Sequence, residues 1–162
     1  MKRIDRVIAE NEIQRLTAAY SHAIMRRDGH AAAQTYTDNG VLSASYAPDI
    51  VGRPAIAEAL CSVLQPLHFI CQNASAGVIV LSDDAAHATW TITEHFKLKE
   101  TEVLGCCFGM YEDTLSRSPE GWRFTQRRFT PFYRGTIAPI EKTFQLPEFG
   151  GDIAFGLLFS SD

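Results

Sequence analysis

The side chains of His22, His68, Glu94, Tyr111 and Arg127 carry groups that could move a proton or hold a charge on a substrate. An imidazole such as that of His68 is neutral near pH 7 and can take a proton without a large pKa shift. Glu94 could supply a carboxylate, Arg127 a permanent planar cation for an anionic group, and Tyr111 a phenol acting as acid or hydrogen-bond donor. Each has a plainer reading. His68 can be a half-buried strand residue bonded to backbone, Glu94 a solvated rim carboxylate beside Lys97 and Lys99, and Arg127 a surface arginine. Tyr111 can be a packing residue, and His22 a helix residue that caps a turn or meets solvent.

Other chemistries lack their residues. There is no glycine-rich phosphate loop, nucleophile elbow or metal-spaced histidine cluster, so neither a cofactor nor a metal is expected. Cys61, Cys71, Cys106 and Cys107 show neither zinc nor redox-pair spacing and read as buried free thiols. With a formal charge of −4 and scattered Lys and Arg, the chain has no electrostatic footprint for nucleic acid. No apolar run reaches the roughly 20 residues of a membrane span, and none of signal-peptide length opens the chain, so a cytoplasmic protein is expected. The 162 residues, 46% apolar and 21% charged, are expected to form a single domain over 1–162, with a core about 5–133 and a tail over 134–162.

Positioning these groups falls to helices first and strands last. Apolar residues from Val7 to Ile24 recur at helical spacing and predict a helix over 6–27, ended by Asp28-Gly29. An alanine-rich second helix is expected over His30–Tyr36, a turn over Thr37–Gly40, and a strand over Val41–Ser45. A loop containing Pro48 leads to a helix that starts near Pro54 and runs to about Leu64. From there the period is two, predicting strands over His68–Cys71, Ser75–Leu81, His87–Leu98, Val103–Leu115 and Trp122–Tyr133. That order argues for an α+β fold.

Alternation sorts the candidates onto faces. Ala88, Trp90, Ile92 and Glu94 share one side of their strand, with His87 and His95 on the other. Cys107, Gly109 and Tyr111 share a side, as do Thr125, Arg127 and Phe129, while Phe124 and Arg128 fall opposite these. His22 and Met25 lie on nearly the same face of the first helix.

Six segments, in this order, resemble the SnoaL-like families of the nuclear-transport-factor-two-like superfamily. They are Ile13 to Leu16 with Tyr20 to Asp28; Tyr36 to Val41; Gly52 to Ile56; His68 to Asn73; Gly109 to Asp113; and Gly121 to Phe124. The resemblance implies a cone-shaped α+β barrel, with N-terminal helices packed on a strongly curved antiparallel sheet that encloses a pocket. It extends to scytalone dehydratase, hexachlorocyclohexane dehydrochlorinase and ketosteroid isomerase. It implies His68 as catalytic base, with Glu94 or Arg127 in support. A pocket lined by Tyr20, Ser21, His22, Met25, Trp90, Ile92, Cys107, Gly109, Tyr111 and Phe129 is implied with it. A homodimer or higher oligomer, with the tail over the pocket mouth or on a neighbouring subunit, is implied as well.

One departure divides the functional reading. Met25 and Ile24 stand where the resembled dehydratases carry the aspartate that holds the histidine and the tyrosine before it. A thioether cannot hold an imidazole tautomer. The sequence therefore leaves open a cofactor-free lyase or isomerase acting on a small hydrophobic substrate, and a noncatalytic ligand-binding or accessory dimer module.

Overall fold

Ile13, Leu16, Tyr20, Ala23 and Ile24 bury one stripe of α1 (Arg3–Met25), the first element of a computed structural model that describes residues 2–139. The chain leaves α1 through Arg27 at φ 58°. Asp28 then caps the short α2 (Gly29–Ala33), its Oδ1 accepting from the Ala31 N–H at 2.8 Å. Gly29 is required where α2 meets α3 (Arg53–Leu64), because a Cβ there would lie 2.5 Å from the Cys61 nitrogen. Pro54 sits in the first turn of α3, where its missing N–H costs nothing.

The strands are β1 (Tyr36–Ala44), β2 (Ala47–Val51), β3 (Leu67–Ala74), β4 (Val78–Ser82), β5 (Ala85–Leu98), β6 (Val103–Ser118) and β7 (Gly121–Pro139). They form one sheet in the order β2-β1-β7-β6-β5-β3, with β4 pairing the first half of β5 and β3 the second. All neighbours are antiparallel except β1 and β7, which are parallel. The path ends at β2 and β3 without their pairing, so this α+β sheet curves around the core as an open cone rather than a closed barrel.

Several boundaries differ from the sequence expectation. The expected second helix ends at Ala33, and Tyr36 already belongs to β1, which runs irregularly through the expected Thr37–Gly40 turn. The expected Pro48 loop is β2, and proline is tolerated there because β2 is an edge strand. The tail expected from residue 134 begins as strand, to Pro139; its remainder lies outside the described residues. Cys106 and Cys107 are buried, Cys61 and Cys71 only partly, and all four are free. Among the described residues no helix is long and apolar enough to cross a membrane.

Three irregularities decide which side chains face inward. Between Leu67 and Ile70 on β3, three steps oppose two on β5, so the strand bulges around His68. On β7, Phe124 pairs Leu115 and Gln126 pairs Thr114, leaving Thr125 as an extra residue. Further along, Tyr133 pairs Phe108 and Pro131 pairs Gly109, leaving Phe132 as another.

Candidate functional site

Between the helices and the concave face of the sheet lies a hollow of about 560 Å³. Its walls are mostly apolar: Ile24 of α1, Leu42 and Ile50 of β1 and β2, Leu60 and Leu64 of α3, Leu67 and Ile70 of β3, and Phe96 and Phe129 of β5 and β7. Its two charged groups, Glu94 and Arg134, lie on one cross-strand rung. Gln72 of β3 lies opposite Glu94 of β5, Glu94 opposite Cys107 of β6, and Cys107 opposite Arg134 of β7.

Gln72 is the hub of this cluster. Its Oε1 accepts from Ser21 Oγ at 2.8 Å, and its Nε2 donates to Glu94 Oε1 at 2.7 Å and to the Tyr111 hydroxyl oxygen at 3.1 Å. Both amide hydrogens are committed, which fixes the amide's orientation. Burial pushes the Glu94 carboxyl above its ordinary pKa, against the lowering effects of the Gln72 hydrogen bond and of Arg134. Burial raises the Tyr111 phenol well above its usual value and also raises Tyr20, so both remain O–H donors across neutral pH. The Cys107 thiol is raised by burial and by the nearby Glu94.

Beneath the hollow is a second cluster. Arg127 donates to Asp113 through Nε to Oδ1 at 2.8 Å and through Nη2 to Oδ2 at 2.6 Å, and both side chains are fully buried. Trp90 Nε1 donates to the same Oδ2 at 2.8 Å. The guanidinium carbon lies 4.4, 4.3 and 3.8 Å from the ring centres of Tyr20, Tyr111 and Phe124. Burial opposes the Arg127 charge, but the Asp113 carboxylate more than offsets that and holds Arg127 above its usual pKa. The pair is internally neutral and carries the floor formed by Tyr20 and Tyr111.

The family model of the SnoaL-like domain matches residues 5–128. The chain belongs to the SnoaL-like family. Solved structures share its fold: hexachlorocyclohexane dehydrochlorinase type 3 from Novosphingobium barchaimii superposes with a TM-score of 0.78 at 16% identity, covering 90% of this chain and 100% of that one. A scytalone dehydratase-like protein from Novosphingobium aromaticivorans gives 0.76 at 16% identity, over 86% and 97% of the two chains. A ketosteroid isomerase-like protein from Erwinia carotovora atroseptica gives 0.65 at 27% identity, over 75% and 94%. No curated protein matches the sequence significantly.

In this SnoaL-like chain, Tyr20, Glu94, Cys107, Tyr111 and Phe129 line the hollow. His68 does not. It sits at the bulge, half-buried, with its ring edge-on to Phe69 at 6.1 Å, and the extra residue gives Leu67 the inward place. Glu94 accordingly bonds Gln72, not His68. Arg127 is not a clamp for a ligand in the hollow, because Asp113 already neutralises it below the floor.

His22 and Met25 lie instead along a separate outer groove between α1 and β3, with His22 exposed. Ser21 borders the same groove and holds Gln72 from behind. Trp90 and Ile92 face inward and are buried, but they pack behind the lining. Gly109 also stays out of it: a Cβ there would meet the Phe129 ring at 2.7 Å, so its missing side chain leaves room for that ring. The Thr125 bulge overturns the expected placement of Phe124, which packs on Arg127. Gln72, Asp113 and Arg134 are the residues that sequence reasoning missed.

Proposed function

We propose that this SnoaL-like chain takes a small, largely apolar molecule into the hollow and moves a proton on it through Glu94, as a cofactor-free lyase or isomerase. The observation that carries this is a carboxylate held in an apolar hollow by one fixed donor, with its pKa raised by burial. Ionised Glu94 would take a proton from carbon beside a carbonyl. The phenols of Tyr20 and Tyr111 are the O–H donors placed to meet an oxygen that gains negative charge. Dehydration, dehydrochlorination and ketosteroid isomerisation, the reactions in the names of the structural neighbours, each remove a proton from carbon.

Deuterium incorporation into small cyclic enones in D2O, followed by NMR, tests the proposal. Wild-type protein is expected to accelerate exchange beside the carbonyl, and Glu94→Gln to slow it by about 10²-fold or more while ligand binding is kept. Equal exchange rates for the two proteins would remove Glu94 from the reaction. Met25 in the place of the family aspartate favours a second reading, a noncatalytic binding module. Enone binding by wild-type protein with exchange no faster than in buffer would establish it.

A further inference from the structure

We propose that the natural ligand of the hollow is a small hydrophobic acid, bound by its single carboxylate to Arg134 with its apolar body in the hollow. The inference rests on the hollow being the ligand site and goes further by naming the ligand's class. Arg134 faces inward because Phe132 is an extra residue on β7, which places Arg134 opposite the inward-facing Cys107. Its guanidinium carbon lies 5.6 Å from the centre of the Phe96 ring, itself part of the lining. Among the described residues Arg134 makes no ion pair, so the planar fork that binds carboxylates in two-point fashion is uncommitted.

Neither the hub amide nor the buried guanidinium competes for the carboxylate. Both amide hydrogens of Gln72 are used, and the Arg127 charge is cancelled by Asp113. The second charged group of the lining, Glu94, sits two strands away on the same rung, roughly 10 Å backbone to backbone. It limits the ligand to one negative charge, because a dianion would place its second charge against that carboxylate. A cationic ligand would meet the opposite conflict at Arg134.

Calorimetric titration of the full chain with 4-phenylbutyrate, 4-phenylbutyramide and 4-phenylbutylamine separates these cases. Wild-type protein is expected to bind the acid about tenfold more tightly than the amide, and the amine most weakly. In Arg134→Gln that preference disappears through loss of acid affinity, whereas Arg134→Lys keeps part of it. Arg134 is exposed, so an unchanged melting temperature of each variant confirms that folding is unaffected. No measurable binding of the acid to wild type, a preference for amide or amine, or an acid preference that survives in Arg134→Gln would each overturn the inference. Binding is read without turnover. Intact acid preference with no enone exchange sinks only the proton-transfer reading; exchange without acid preference sinks only this one.

Discussion

Two polar clusters share the concave face of the sheet and are finished differently. Asp113, Arg127 and Trp90 form a bidentate, charge-balanced set with no path to the hollow. Glu94 has one hydrogen bond from Gln72, a distant cation in Arg134, and an apolar space in front of it. A buried charge that is fully paired supports its surroundings, whereas one left partly paired keeps free energy available for a ligand or a proton.

The largest effect is expected from breaking the closed cluster. Arg127→Met strands the Asp113 carboxylate and is expected to cost about 3–5 kcal/mol in chemical denaturation. Adding Asp113→Asn should recover part of that loss, since the penalty lies in the unpaired charge. Gln72→Leu is expected to cost less, about 1–3 kcal/mol, because Ser21, Glu94 and Tyr111 each lose a partner. It removes the hydrogen bond that lowers Glu94, so the carboxyl should titrate at higher pH still, read by carbon NMR of labelled glutamate.

The smallest effect has the opposite sign. A carboxyl whose folded pKa lies above its unfolded value gives stability at low pH that is lost as pH rises through the folded pKa. Glu94→Gln is therefore expected to raise the melting temperature at about pH 8 and to leave it nearly unchanged near pH 4. A melting temperature that falls at both pH values would mean the ionised carboxylate is as well paired as Asp113, and the contrast between the clusters would collapse.

The helices and the inward sides of β5 and β6 were legible because their periods run unbroken: Ala86, Ala88, Trp90 and Ile92 are all buried, as period two requires. On β3 and β7 the same rule failed at the bulges, since one extra residue reverses every later side chain. His68 lost its inward place that way, and Phe124 and Arg134 gained theirs. Pro131, which cannot donate to the ladder, was the available hint of irregularity near Phe132. Asp113 was reachable by continuing the Cys107, Gly109, Tyr111 series one step. Gln72 carried no signal, because a neutral amide becomes a hub only once a carboxylate is known to face it.

The unpaired Phe132 makes ligand choice in this scaffold a matter of register as well as composition. Were Phe132 to pair with Phe108, the rest of β7 would shift one step along β6, and the phenol of Tyr133 would take the place opposite Cys107 that the guanidinium now holds. A one-step change of pairing thus offers this architecture a route from ionic to neutral cargo that leaves the floor, the hub amide and the buried pair in place.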